Sequence, residues 1–449
     1  MPRTNVARTF LAAALLVAIA ALPALAARGA ADFTRYVALG DSYAAGVSNG
    51  SLVISHQLWS FPAVIARQAG VPVCGPDPGC IGFHQPLVSE PGLGPELALQ
   101  SIVPSVVIAP KDATGGVPLL LQLPRPYNNL AVPGFRAAHL TTVTGAEPQS
   151  GSAQFILRGL GTAVQQTLAL QPTFITLWIG GNDVLGAVLA GTPAALTPLE
   201  QFRASYAAIL DALTAGAPNA GLVVGTIPDP TVVAFVHAVP PFATLPNGQR
   251  FYFVADLGGG QIGQLPEGSL LTLNAIALLG QGFGQSPAKP LPDAVALTPT
   301  ELAAIRLRTE QVNDTIRELA GAKDVPVVDL DEEFFEDVVG GIEMGGIHLD
   351  TSFLTGGIFS LDGFHLTDIG YTLFANEWIR TINEEYETDI PYASIVPFLQ
   401  NNSPVDDEAL ALPRSTFAFT PGALDSVMEM QQVEPVKQAP VRRRGVARN

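Results

Sequence analysis

A serine stands in the stretch GDSYAAG, Gly40 to Gly46, directly after the strand-like run TRYVAL. A serine hydroxyl is a poor nucleophile unless a base, usually histidine, lies within hydrogen-bond reach and is itself oriented by a third group. Ser42 is therefore either a turn residue or a nucleophile held where a strand gives way to a helix. The second interpretation requires a histidine, a carboxylate and oxyanion donors elsewhere in the chain.

His365 is the histidine whose surroundings best suit a general base. It lies in LDGFHLTDIGY, just before a predicted helix, with Asp362 three residues ahead and Gly363 between them. A turn there can bring the carboxylate to the imidazole Nδ1, so that Nε2 faces a hydroxyl. A capping turn, with Asp362 bonded to backbone amides and His365 packed, explains these residues about equally well. The other histidines are each more simply structural: His56, His84, His139, His237 and His348.

Two further segments carry groups that could stabilise an oxyanion, an interaction worth about 10²–10³ in rate for one donor. NNLAVPG ends a predicted strand at Gly134, and TLWIGGND ends another at Asn182. Ligands of open parallel sheets gather beyond the carboxyl ends of the strands. Ser42, Gly134 and Asn182 can therefore converge, although each alone is more often an ordinary turn residue.

The elements that must position these residues alternate between strand and helix patterns. This alternation predicts an α/β protein with three layers, in which helices cover a parallel sheet. The predicted strands are 35–39, 128–132, 174–179, 221–226 and 325–330. The predicted helices are 153–170, 199–213, 300–320 and 367–386, the third of them opened by a capping box in TPTE.

Taken together, four segments resemble the motif blocks of the SGNH hydrolases, also called GDSL esterases or lipases. They are GDS near the start, the isolated glycine of NLAVPG, GGND in the middle and DGFH near the C-terminal end. The resemblance covers about residues 34 to 385. It implies a flavodoxin-like α/β/α sandwich with a mainly parallel sheet, and an esterase or lipase that hydrolyses carboxylic esters without a cofactor or a metal ion.

The same resemblance implies a role for each residue of the candidate site. Ser42 would be the nucleophile and, through its own amide, an oxyanion donor. Gly134 would add a backbone donor and Asn182 a side-chain donor. His365 would be the base that later protonates the leaving alkoxide, and Asp362 would orient it.

The resemblance leaves the substrate open. Tyr43 follows the motif serine where many members have leucine, a difference expected to matter little to the chemistry. The apolar composition of residues 235–297 favours lipid or short-chain acyl esters. Carbohydrate O-deacetylation and acyl transfer to an alcohol would use the same residues. The alternative of another class is a non-catalytic binding or adhesion module on the same fold.

Two other motifs could indicate a different nucleophile or a bound dinucleotide. GVSNG, Gly46 to Gly50, matches the G-x-S-x-G elbow of α/β-hydrolases, but Ser48 is not followed by a helical pattern, so a loop is predicted. GGGQIG, Gly258 to Gly263, matches a dinucleotide fingerprint, yet Pro266 follows where a helix would have to begin. Neither HExxH nor a Walker phosphate loop occurs in the sequence.

Both ends of the chain differ from its middle. Residues 1–26 have the pattern of a secretory signal, with Arg3 and Arg8 before an apolar run that closes on ALA. The run is shorter than the ~20 residues of a spanning helix. We therefore expect an exported protein, periplasmic or extracellular, without a transmembrane segment after cleavage. The hydrolase domain is predicted over residues 32–390 and a flexible tail over 400–449.

The composition of the chain limits the kinds of partner that it can bind. The net charge of −17 argues against binding to nucleic acid, which requires a basic surface. Residues 235–297 form a predicted insertion that either shapes a substrate pocket or takes no part in binding.

Cys74 and Cys80 bracket CGPDPGC, and in an exported protein they are expected to form a local disulfide. A metal site would need more ligands than the nearby His84. The sequence does not indicate an oligomeric state.

Overall fold

A four-stranded parallel sheet forms the centre of the protein. The computed structural model describes residues 28–101, 106–112, 114–147, 151–344, 346–399 and 417–419. The strands follow one another in sequence order across the sheet, as β1 Tyr36–Gly40, β2 Phe174–Trp178, β3 Gly221–Gly225 and β4 Val327–Val328. All residues of β1 and β2 are buried, as in strands that helices cover on both faces. The predicted α/β fold with a parallel central sheet is confirmed.

The strand predicted at 128–132 is not a regular strand. The segment runs alongside β1, but it forms only an isolated parallel bridge, between Ala38 and Asn129. Val132 donates the last backbone hydrogen bond to β1, at 3.1 Å. Pro133 has no N–H and cannot extend the ladder. The segment therefore ends beside the carboxyl end of β1.

Two groups of helices pack against the sheet. The main helices are α1 Ser42–Ala45, α2 Phe61–Gln68, α3 Ala163–Ala169, α4 Gly181–Ala190, α5 Leu199–Gly216, α6 Pro299–Gly321 and α7 Asp368–Glu385. The first group consists of α2 and α7; α3, α5 and α6 belong to the second. The capping box that opens α6 is present, with Thr298 and Glu301 bonded in both directions. The single helix predicted at 153–170 is wrong, because glycines with positive φ at 159 and 161 break it into two.

Residues 235–297 contain two short hairpins among other short elements. Phe242–Thr244 pairs with Arg250–Tyr252, and Val254–Asp256 pairs with Ile262–Gln264. GGGQIG forms the turn of the second hairpin, so no helix follows it. The insertion is tied to the His365 loop, since the N–H of Phe235 donates to the carbonyl of Gly363 at 2.7 Å.

The remaining elements are short. They are Ile54–Gln57, Leu97–Ser101, Val106–Pro110, His139–Thr142, Ala153–Ile156, Pro193–Ala195, Ala234–His237, Leu270–Leu271, Ala275–Gly280, Asp293–Val295, Ala296–Leu297, Asp331–Phe335, Glu336–Gly340, Ile342–Met344, Ile347–Leu349, Val396–Leu399 and Phe417–Phe419.

The predicted end segments lie mostly outside the described residues. This holds for the whole predicted signal at 1–26 and for the predicted tail except Phe417–Phe419, a strand that pairs in parallel with Val106–Ile108. Across the part of the chain that is described, no helix combines the length and apolar character needed to cross a membrane.

The predicted disulfide is present. Cys74 and Cys80 are joined at 2.07 Å. With His84 they form the one group of histidine, cysteine and acidic side chains among the described residues whose donor atoms are spaced as in a metal site. Metal binding requires thiolates, and these two sulfurs are bonded to each other. His84 Nε2 in turn lies 2.8 Å from the carbonyl of Cys80, so the three residues form a structural unit.

Candidate active site

Ser42 lies at the point where β1 turns into α1. Asp41 caps this short helix, and its Oδ1 accepts a hydrogen bond from the N–H of Tyr43 at 3.1 Å. A Cβ on Gly40 would meet the carbonyl oxygen of Trp178 at 2.6 Å, so only glycine fits the turn. Ser42 is thereby held at the carboxyl edge of the sheet, with a side chain that is nearly buried. This is the strand-to-helix position that a nucleophile needs.

Asp362 and His365 form a buried pair in the loop before α7. Oδ2 of Asp362 lies 2.9 Å from Nδ1 of His365. Oδ1 accepts the backbone N–H groups of Phe364 at 3.0 Å and His365 at 2.8 Å. Burial alone would raise the pKa of the Asp362 carboxyl. The charge and hydrogen bonds of His365, together with the two amides, outweigh burial and lower that pKa. The carboxylate is therefore kept ionised beside the imidazole.

The Ser42 turn and the His365 loop contact each other directly. The hydroxyl of Tyr43, next to Ser42, donates to the carbonyl of Phe364, next to His365. The rings of Tyr43 and His365 are 5.9 Å apart between centroids. The structure thus brings two segments of the predicted site together from opposite ends of the chain.

Asn182 lies in the first turn of α4, at the carboxyl end of β2. Its Nδ2 donates to the carbonyl of Phe135 at 3.0 Å and lies 3.3 Å from Oδ2 of Asp41. Gly134 immediately precedes Phe135 in a tight turn and has a φ of 78°. Gly134 and Asn182 are therefore neighbours, and Asp41 connects Asn182 to the Ser42 turn. All four predicted segments meet at one edge of the sheet.

Sequence reasoning missed two buried carboxyl groups at this edge, Asp41 and Asp183. Burial raises the pKa of Asp41 to about 8, and the N–H of Tyr43 opposes this effect. Burial raises the pKa of Asp183 to about 6, although its Oδ2 accepts the N–H of Ala137 at 2.9 Å. Asp41 precedes Ser42 in GDS, and Asp183 follows Asn182 in GGND. This position next to a motif residue is the feature of the sequence that could have indicated that both carboxyl groups belong to the site.

A small apolar cavity opens beside Ser42 and Asn182. Its volume is about 30 Å³. The apolar residues that line it are Trp178, Leu185, Pro228, Pro230, Val233 and Phe364. Residues 235–297, all of them described, do not line this cavity. Instead, the insertion supports one of its walls, because the ring of Phe235 packs edge-on against that of Phe364 at 5.7 Å.

The competing serine lies in a different environment. Ser48 is buried and exchanges backbone hydrogen bonds with Ser51, at 3.1 and 3.0 Å. Asn49 and Gly50 between them form a two-residue turn with φ values of 50° and 70°. A hairpin turn of this kind is not the strand-to-helix elbow that G-x-S-x-G requires.

A family model described as GDSL-like Lipase/Acylhydrolase matches residues 36–378. No curated protein sequence matches the chain. Among solved structures, an extracellular lipase from Streptomyces rimosus is 17% identical, with 78% of this chain and 98% of that chain covered and a TM-score of 0.34. Phospholipase A1 from Streptomyces albidoflavus NA297 is 16% identical, with 80% and 100% covered and a TM-score of 0.34.

A catalytic mutant of an acetylxylan esterase from Geobacillus stearothermophilus is 11% identical to the chain. The alignment covers 78% of this chain and 95% of that one, with a TM-score of 0.35. At these identities and scores the three proteins indicate nothing about the substrate of this chain. The match to the family model covers most of the described residues and contains all five residues of the candidate site.

Proposed function

Since the chain belongs to the GDSL-like lipase/acylhydrolase family, we propose that it is a serine esterase that hydrolyses carboxylic esters through an acyl-enzyme at Ser42. One observation carries the proposal. The buried hydrogen bond between Asp362 and His365, at 2.9 Å, lies in a loop that Tyr43 joins to the Ser42 turn. A carboxylate that orients an imidazole next to a serine is the arrangement that serine nucleophiles require.

The mechanism uses each group in turn. Ser42 Oγ attacks the ester carbonyl carbon and gives its proton to His365 Nε2, while Asp362 stabilises the imidazolium that forms. The carbonyl oxygen becomes an oxyanion, to which Ser42 N–H, Gly134 N–H and Asn182 Nδ2 donate. The intermediate collapses, the C–O bond to the alkoxide breaks, and His365 protonates the departing alkoxide. Water, deprotonated by His365, then releases the carboxylic acid from Ser42.

Asn182 has to change partner in this scheme. Its Nδ2 donates to Phe135 and contacts Asp41, and the Asp41 contact is the longer of the two at 3.3 Å. The developing oxyanion would replace Asp41 as the acceptor. Burial raises the pKa of Asp41 to about 8, so the protonated carboxyl can lose this contact without leaving a buried charge unpaired.

The acyl group is proposed to be short. A volume of about 30 Å³ corresponds to roughly two water molecules, which leaves room for an acetyl or propionyl chain. The walls are stiff, because Pro228 and Pro230 have fixed rings and Trp178 Nε1 is bonded to the carbonyl of Thr226 at 2.8 Å. The hydroxyls of a polar alcohol would be unpaired inside this cavity, so such an alcohol would have to remain outside it. Because the small volume also suits the acetyl group of an acetylated carbohydrate, carbohydrate O-deacetylation is the second candidate function.

The test is hydrolysis of p-nitrophenyl acetate by the wild type, Ser42→Ala and, as a matched control, Ser48→Ala. Ser42→Ala should lower kcat by about 10³-fold or more, and Ser48→Ala should leave it within a factor of about three. Equal activity of Ser42→Ala and the wild type, both above the rate in buffer alone, would exclude Ser42 as the nucleophile. If neither protein released more nitrophenol than buffer alone, a binding module would be the better interpretation.

We also propose that the protein is exported. The apolar segment within residues 1–26 and the Cys74–Cys80 disulfide support export, because disulfides persist in oxidising compartments. Expression of the full chain in a secreting host should yield a protein outside the cytoplasm that begins near Ala27, as read by mass spectrometry. An intact N-terminus on a cytoplasmic product would contradict this proposal.

A further inference from the structure

The Asn49–Gly50 turn of GVSNG contacts the loop that carries Asp362. The backbone N–H of Gly50 donates to Oδ2 of Asp362 at 2.6 Å. This is the same oxygen that lies 2.9 Å from Nδ1 of His365. Gly50 and His365 therefore bond the carboxylate at one atom, and the position of the turn determines where that oxygen lies.

Asn49 clamps the same loop at two neighbouring points. Its backbone N–H donates to Oγ of Ser360 at 2.9 Å, and its Oδ1 accepts the N–H of Leu361 at 3.0 Å. Ser360, Leu361 and Asp362 are consecutive, so the turn bonds three residues in a row. Asn49 can do this because it adopts a left-handed conformation, with φ at 50°, which asparagine tolerates better than most residues.

Asn49 is itself anchored to a charged cluster. Its Nδ2 donates to Oε1 of Glu96 at 2.8 Å and lies 3.4 Å from Nε2 of His56. His56 bridges two carboxylates, because Nε2 lies 3.0 Å from Glu96 and Nδ1 lies 2.8 Å from Asp368. Asp368 is the first residue of α7, which follows the His365 loop. The cluster thus holds both the Asn49 turn and the helix on the other side of that loop.

We propose that Asn49 is a positioning residue for the Asp362–His365 pair. The proposal rests on the proposed function, since it concerns the same site. Asn49 holds Leu361 and the Gly50 amide in place, and through them it sets the carboxylate of Asp362 against the imidazole. A displacement of about 1 Å in such a group can cost on the order of 10²-fold in rate, even from a residue that does not touch the substrate.

The test variant is Asn49→Gly, which removes the side chain and keeps the positive φ without strain. The matched control is Asn247→Gly, since Asn247 also precedes a glycine in an Asn-Gly turn, in the exposed part of a hairpin. With p-nitrophenyl acetate, Asn49→Gly should lower kcat about 10- to 100-fold and change KM by less than about threefold. Asn247→Gly should match the wild type in both constants.

A double-mutant cycle separates positioning from general damage. If Asn49 acts through Asp362, Asn49→Gly should cause no further loss of kcat in an Asp362→Ala background, because residues that act as a unit are not additive. The same loss in both backgrounds would overturn the proposal. Should Asn49→Gly not fold, Ser360→Ala replaces it, since it removes one of the two clamping bonds; it should lower kcat about threefold or more, again only when Asp362 is present.

Comparison with the Ser42→Ala variant distinguishes this inference from the proposed function. Activity that does not depend on Ser42 would remove the proposed function itself. Activity that depends on Ser42 but is unchanged in Asn49→Gly would leave the esterase in place and exclude Asn49 as a positioning residue.

Discussion

The hydroxyl of Tyr43 donates a hydrogen bond to the backbone carbonyl of Phe364. The two residues adjoin Ser42 and His365, and both are buried. A leucine after the motif serine could not make this bond. The expectation that Tyr43 matters little to the chemistry stays a prediction, and this bond is the reason to test it. Tyr43 connects the turn that carries the proposed nucleophile to the loop that carries the proposed base.

Tyr43→Phe keeps the ring and removes that bond. The carbonyl of Phe364 would remain buried without a partner, so the free energy of unfolding should fall by about 1–3 kcal/mol. The His365 loop should also be held less firmly against the Ser42 turn, and kcat should therefore fall several-fold. Tyr371→Phe is the control, since the Tyr371 hydroxyl donates to the carbonyl of Val47 at 2.7 Å and Tyr371 is also buried. Equal kcat values for the two variants in steady-state assays would contradict the role given to Tyr43.

Asn182→Ala should lower kcat by about 10²–10³ with little change in KM, because the amide would act mainly on the oxyanion. Steady-state kinetics with p-nitrophenyl acetate measure this effect. Asn376→Ala is a suitable control, because Asn376 in α7 also bonds the backbone through its amide. Its Nδ2 donates to the carbonyl of Ala393 at 3.0 Å, and its Oδ1 accepts the N–H of Ala393 at 2.8 Å. A loss confined to KM would indicate that Asn182 binds substrate rather than the transition state.

Leu185→Ala should widen the cavity beside Ser42, because it shortens a side chain that forms part of the cavity wall. Leu185 is aliphatic and half-buried, whereas Pro228, Pro230 and Trp178 form stiffer parts of the wall. The ratio of kcat/KM for butyrate over acetate esters should then rise about tenfold, the effect expected of one to two additional methylenes. Leu189→Ala, one turn further along α4, serves as the control. A wild type that already preferred octanoate esters would contradict the short-acyl proposal, as would a ratio unchanged by Leu185→Ala.

His56 should make the protein less stable as the pH rises into the alkaline range. Burial disfavours its charge, but Asp368 and Glu96 outweigh burial and raise the pKa of His56 to about 10. The unfolded chain releases this proton near pH 6.5. The stabilising contribution is therefore complete below about pH 6.5 and is lost as the pH rises towards 10, by at most about 1.4 kcal/mol per pH unit.

The measurement is urea denaturation between pH 6 and 10 for the wild type and His56→Gln. Other groups also titrate in this range, so the difference between the two proteins is the quantity of interest. Asn49 and the two carboxylates face His56 directly, and Lys111 lies beyond Glu96, 3.0 Å from its other oxygen. Parallel stability curves for the two proteins would contradict this prediction, because they would show that folding does not raise the pKa of His56.

Local signals in the sequence were sufficient for the central sheet and the three longest helices. The runs that became β1, β2 and β3 begin within one residue of their predicted starts, because apolar and β-branched residues bounded by glycine identify a buried strand. The capping box of α6 is equally local. Two predicted elements differ from the structure. At 153–170 the apolar pattern was right, but the glycines at 159 and 161 ended the regular backbone early. At 128–132 the segment runs beside β1, but it forms only an isolated bridge there.

The candidate site was only partly visible in the same way. The sequence by itself determined which residue types were available, their order, and that each follows a strand or precedes a helix. Only the tertiary structure decided that Tyr43 bonds Phe364, that Asp41 contacts Asn182, and that the cavity beside Ser42 is small. Periodicity reports how one element buries its own side chains. A contact between residues far apart in the chain depends instead on how several elements pack, and no local pattern encodes that packing.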